Sequence, residues 1–163
     1  MPNEAIAKYR TLALQQIDRV RWLAPLVGRL SVGLLFVSTG WGKVHSLAKV
    51  TAFFVKLGIP APGLNAVVVG YSELICGSLL VVGLCTRLAT LPLIVSMVVA
   101  ILTAKLSDIH DLFDLVGADE FTYLCVLVML FIIGPGLLSA DEVLVRRWFG
   151  RESDSKPSSA HGP

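Results

Sequence analysis

Long apolar stretches separated by short polar connections dominate the chain. Four windows stand out, Ala24 to Gly42, Gly63 to Leu84, Leu88 to Ala104 and Phe121 to Leu138. Each approaches the roughly 20 residues that a helix needs to cross a hydrocarbon core about 30 Å thick. Membrane strands would alternate apolar and polar residues at every second position, and runs such as VVVG or LLVVGL have no such period. The pattern therefore predicts an all-α integral membrane protein, an antiparallel bundle of four transmembrane helices forming one domain. Only Cys85, Thr86 and Arg87 separate the second and third windows, which predicts a tight antiparallel hairpin.

Outside the spans the patterning changes. The first 22 residues contain no apolar core run, so no cleavable leader is expected. Within the segment 1–23, Ile6, Tyr9, Ala13, Ile17 and Val20 share a helical face, with Lys8, Arg10, Arg19 and Arg21 mostly off it, as in an interfacial helix or a solvated lead-in. The first loop, Lys43 to Pro62, contains VTAFFVKLGIPAPG and is expected to lie along, or re-enter, the outer interface. Ser139 and Glu142 stand at capping-box spacing, predicting a short cytoplasmic helix over 139–150, and the tail 151–163 has a disordered composition. No internal repeat is evident.

Composition agrees with a membrane assignment. Of 163 residues, 55% are hydrophobic and 16% charged, against about 25% charged in soluble domains; mean hydropathy is +0.74. Charge adds an orientation. With a cytoplasmic N-terminus, nine basic residues fall inside (Lys8, Arg10, Arg19, Arg21, Arg87, Arg146, Arg147, Arg151, Lys156) and four outside (Lys43, Lys49, Lys56, Lys105). Positive residues favour the cytoplasm, so both termini are expected there. A net charge of +2 gives no reason to expect nucleic acid as a partner.

The helix faces expose the chemical question. Gly70, Glu73 and Gly77 share one side of the second span; Arg29, Gly33, Phe36, Gly40 and Lys43 form a stripe on the first. A lipid-facing charge at helix centre costs roughly 2.5 to 3.5 kcal/mol, so both stripes are expected to face inward, where glycines allow backbones to approach. Three readings of Glu73 compete: a structural hydrogen bond or ion pair with Arg29, a proton-accepting or ligand-orienting group in a midplane cavity, and an exposed protonated acid. Arg29 as partner has a depth problem, because its side chain leans toward the helix N-terminus, away from Glu73. Burial away from charge partners would favour the neutral carboxyl, able to donate a hydrogen bond.

The order of these pieces resembles the DoxX family of small bacterial membrane proteins. The resemblance runs from Arg29-Leu30 with Gly33 and Phe36, through GWGK (Gly40 to Lys43), FFVKLGIPAP, Glu73 with Gly77 and Leu80, GLCTRLA (Gly83 to Ala89) and Met97, to GPGLLSAD. It implies a four-helix bundle in the bacterial inner (plasma) membrane and a relation to the small subunit of thiosulfate:quinone oxidoreductase and to membrane oxidoreductase components. The family's recurring Arg, Glu and Thr-Arg positions fall on Arg29, Glu73, Thr86 and Arg87. Quinone is then the candidate ligand. Glu73 is the candidate catalytic group, Arg29, Gly33, Gly70 and Gly77 the candidate ligand-binding positions, and Thr86, Arg87 and Lys43 the structural or anchoring ones.

Other chemistry is weakly signalled. For Thr86 and Arg87 the simpler reading is a helix cap and a positive-inside anchor. Ser96, Ala100, Thr103 and Ser107 form a small, weakly polar stripe that reads as helix packing. Cys76, Cys85 and Cys125 form no C-x-x-C pair, so a thiol relay is disfavoured. His110 with Asp108, Asp111 and Asp114, joined by His45, matches no strong metal motif and reads as a solvated acidic loop. Two functions remain: a quinone-facing subunit that takes electrons from a redox enzyme partner, having no electron carrier of its own, and a non-catalytic membrane scaffold for such a partner. A small solute or proton permease is a third. The bilayer is the expected environment, and a second copy of the chain is a further candidate partner.

Overall fold

A computed structural model describes residues 22–106, 109–134, 136 and 139–141. Six α-helices follow in order: α1 (Leu23–His45), α2 (Leu47–Lys56), α3 (Pro62–Val82), α4 (Thr86–Ala100, continued by a π-turn at Ile101–Lys105), α5 (Leu112–Gly117) and α6 (Asp119–Ile133). No strand occurs among the described residues. Three of these units are long and apolar enough to cross a membrane: Leu23–His45, Pro62–Val82 and Thr86–Lys105. About a third or less of each is buried (33%, 33% and 28%), so most of their surface is free to meet lipid. Side chains such as Leu34, Val68, Ile75 and Val95 are accordingly exposed.

The fourth window is shorter than its apolar composition suggested. α6 has 15 residues, about 22 Å at helical rise. It stops at Ile133 because Gly134 turns to φ 87, which a helix does not accommodate, and a proline follows in the sequence. The third window begins earlier than expected, at Thr86, and ends in the π-turn. The first loop is mostly helical, as α2, and the third contains the short α5, neither expected as a helix. The lead-in segment and the tail lie outside the described residues, as does all but 139–141 of the short helix expected over 139–150.

Helix α1 packs against α3, α3 against α4, α4 against α6 and α6 back against α1. Val32, Phe36, Leu80, Ala89, Leu93, Met97 and Leu127 form the apolar core between them. The register of α1 on α3 is set by glycine. A methyl group at Gly40 would stand 2.5 Å from the Leu74 backbone nitrogen, and one at Gly77 would stand 2.8 Å from the Val37 nitrogen. Only glycine lets the two backbones come that close. Further out along the same seam, Gly70 faces Lys43 and Val44, and Gly33 faces Gly77 and Val81. The helices are therefore antiparallel, with both stripes facing each other.

Candidate functional site

Glu73 lies fully buried on that seam. Lys43 of α1 donates to its Oε1 at 2.5 Å, and the Ser96 hydroxyl of α4 donates to the same oxygen at 3.0 Å. Thr39 of α1 reaches Oε2 at 3.1 Å while also lying 3.3 Å from the Phe36 carbonyl. One carboxylate thus ties together three membrane-length units. The arrangement follows from local rules. Thr39 and Lys43 are one turn apart and flank Gly40, whose missing side chain admits α3 between them. Side chains on a helix lean toward its N-terminus. On antiparallel helices Glu73 leans toward the level of Gly70, which faces Lys43, and Lys43 leans back toward Gly40, so the two meet.

The contacts reverse the direction expected of Glu73. Its oxygens face the Lys43 ammonium and the Thr39 and Ser96 hydroxyls, so in these contacts it accepts. Three donors and an opposite charge are what a buried carboxylate requires. Lys43 differs in exposure: 30% of its side chain is accessible, against 1% for Glu73. The centre therefore pairs an enclosed anion with a lysine whose side chain is partly accessible.

Arg29 belongs to a different cluster, at the far end of α1 and α3. It is 2% exposed and packs on Gly83, where a methyl group would collide with its guanidinium. The Arg29–Glu73 pair is thus replaced by Lys43–Glu73, and Arg29 instead interacts electrostatically with Asp141. Asp141 also caps α4: its carboxylate accepts from the backbone N–H groups of Cys85 (2.8 Å) and Thr86 (3.3 Å), and its own N–H donates to the Gly83 carbonyl (3.1 Å). Negative charge at a helix N-terminus is favourable, and these amides have no partner within the helix. The expected cap from the Thr86 side chain is not made. Thr86 is buried, and its Oγ1 has no hydrogen-bond partner among the described residues. Arg87, read as a membrane anchor, is exposed and donates to the Ile132 carbonyl at 3.3 Å, with its guanidinium against Gly134 at the end of α6.

Of the candidate ligand-binding positions, Gly33, Gly70 and Gly77 line the α1–α3 contact, and Arg29 stands apart from Glu73. Sequence reasoning assigned Ser96 to packing, left Thr39 unremarked and treated Lys43 as an anchor. The readable signal was the pairing of the two glycine stripes in antiparallel register, which places Lys43 and Gly70 at one level. Two surface grooves stand out among the described residues. One, about 560 Å³, is an apolar trough along α6 between Leu124, Cys125, Val128, Met129, Ile132 and Ile133. The other, about 370 Å³, lies at the opposite end of α4 from Asp141, between Lys105, Ile109, Phe113, Asp114, Gly117 and Ala118. Neither touches Glu73.

Comparison with known proteins bears on what this centre belongs to. The family model described as DoxX matches residues 24–106, which is half of the chain. The chain belongs to the DoxX family. The matched segment of this DoxX protein includes Arg29, Thr39, Lys43, Glu73, Thr86, Arg87 and Ser96, and leaves out α6 and Asp141. Among curated relatives, the uncharacterized membrane protein Rv3486 of Mycobacterium tuberculosis is 34% identical over 131 residues, covering 73% of this chain and 80% of its own. A Bacillus subtilis protein named "Putative oxidoreductase CatD" is 30% identical over 121 residues, covering 73% of this chain and 85% of its own. No solved structure matches the chain.

Proposed function

We propose that this DoxX protein is an inner-membrane component of an oxidoreductase system, and that its polar centre serves a quinone. Electrons come from a partner enzyme, since the chain offers no electron carrier. The supporting observation is the asymmetry of the Lys43–Glu73 pair: a lysine whose side chain is partly accessible is held at the bilayer by a carboxylate that is not. The oxidoreductase name of the Bacillus subtilis relative points the same way. Because Glu73 is fully buried with both oxygens engaged, contact with the ring falls to Lys43, which would donate to a quinone oxygen, with Glu73 holding its charge in place. In this reading α6 supplies a fourth crossing of an antiparallel bundle, and both termini are cytoplasmic.

A second reading is favoured by the full burial of Glu73 and the engagement of both its oxygens. Here the charged centre only locks three helices together and the chain is a scaffold for its partner. Turnover of quinone in native membranes separates the two. The quinone reading expects Lys43→Met to slow turnover per assembled complex, and protection of the wild type by quinone analogues against thermal unfolding. If turnover per complex is unchanged and analogues protect nothing, the quinone site is wrong and the scaffold remains.

A further inference from the structure

The end of the molecule that carries α2 and α5 has two faces of opposite character. No residue of α2 is buried, and Lys49, Phe53 and Lys56, which share one helical face, are all exposed. Residues 44–72 contain no Asp or Glu. Across the same end, α5 exposes Leu112, Phe113 and Val116, Phe113 to 87%, with Asp111 and Asp119 exposed beside them. Residues 106–145 contain no Lys or Arg. Among the described residues, Lys49, Lys56 and Asp119 make no ion pair.

Their placement decides what can join them. Helix α2 rests on α3 and α1, whereas α5 rests on α6, and in the circuit α1–α3–α4–α6 these are different edges at the same end of the protein. A lipid leaflet does not suit both faces, because anionic headgroups attract the lysines of α2 and repel the acids of α5. A surface that is basic and aromatic, at the same end and in the same orientation, does suit α5, and the chain itself carries one.

We infer that copies of this chain associate edge to edge in the membrane, the Lys49–Phe53–Lys56 face of one protomer docking on the Asp111–Phe113–Asp119 edge of the next. Such a contact joins two different surfaces. Because the bilayer holds all copies upright, repetition is a rotation about the membrane normal, and the assembly closes as a ring when that rotation divides a full turn. The inference goes beyond the oxidoreductase reading and stands independently of it.

Native mass spectrometry from lipid nanodiscs tests it. The wild type is expected as an oligomer, Lys56→Glu and Asp119→Lys each as monomer, and the two changes in one chain as oligomer again, because the charges are exchanged and not lost. Phe113→Ser, at a site too exposed to matter for folding, should also dissociate the ring. In a background with the three native cysteines replaced, disulfides should form between a Lys49→Cys chain and a Phe113→Cys chain and not between two Lys49→Cys chains. A monomeric wild type, charge variants that stay oligomeric, a failed rescue, or crosslinks between like positions would each overturn the proposal. So would Lys56→Glu lowering affinity for anionic vesicles while leaving assembly unchanged, since α2 would then be a lipid anchor.

Discussion

Replacing either member of the Lys43–Glu73 pair should reveal how the enclosed charge is held. Glu73→Gln preserves shape and leaves an amide oxygen to accept from Lys43 and Ser96 and an amide nitrogen to donate to the Thr39 hydroxyl. Removing one partner of a buried ion pair generally costs about 3 to 5 kcal/mol, because the other charge is left uncompensated. Lys43, however, is 30% accessible, and its ammonium can turn to water along a flexible stem, so Glu73→Gln should cost only about 1 to 2 kcal/mol. Lys43→Met leaves the buried carboxylate with two hydroxyl donors and no cation, and should cost the full 3 to 5 kcal/mol or so.

The double variant removes both charges together and should be less destabilised than the sum of the singles by about 2 kcal/mol, well outside the roughly 0.5 kcal/mol within which independent sites add. Denaturant unfolding in micelles, following α-helical circular dichroism, measures all four corners of the cycle. Additive costs, or Glu73→Gln costing more than Lys43→Met, would refute the pairing and the exposure argument together.

Other substitutions probe the frame around the centre. Gly40→Ala and Gly77→Ala place a methyl group against backbone and should separate α1 from α3, costing about 2 kcal/mol or more; Gly42→Ala, where a methyl group would meet nothing within 4 Å, should be neutral or stabilise by up to about 1 kcal/mol through helix propensity. Comparing their unfolding midpoints checks this. Asp141→Ala should destabilise by about 1 to 2 kcal/mol through loss of the α4 cap and should raise the rate at which Cys85 reacts with a soluble maleimide; an unchanged rate would mean that the cap does not hold the turn. For orientation, a periplasm-active reporter should be silent after Phe149 and active when inserted near Asp111, and the reverse pattern would invert the topology.

The apolar windows and glycine stripes were readable because they are local: period and length place three membrane-length helices, and 3.6-residue spacing puts Glu73 on the face that is buried. What the stripes face is a matter of register. Arg29 drew attention as the obvious buried cation, and its lean away from Glu73 counted against it; the same rule applied to Lys43 on an antiparallel neighbour gives the pair that forms. Asp141 capping Thr86 across a sequence separation of 55 leaves no local trace, because Thr86 itself has the side chain of a cap residue. The shortened α6 was signalled by GPG at Gly134 to Gly136, but the apolar Leu137 and Leu138 beyond it made the window look continuous.

Burial also determines how the two functional readings rank variants. If the polar centre only locks helices, every change to it acts through folding, so Glu73→Gln, Lys43→Met and Gly40→Ala should lie on one curve relating partner activity to the amount of assembled complex. Glu73 cannot escape that curve by much, since it is fully buried and both its oxygens are engaged. Lys43 can, because its side chain is partly accessible. A variant such as Lys43→Gln that holds the complex near wild-type abundance yet loses turnover would separate ligand contact from packing. Gly40→Ala, which adds no charge and removes none, fixes where the packing curve lies. Should Lys43→Gln fall on it, the Lys43 ammonium has no role beyond neutralising Glu73.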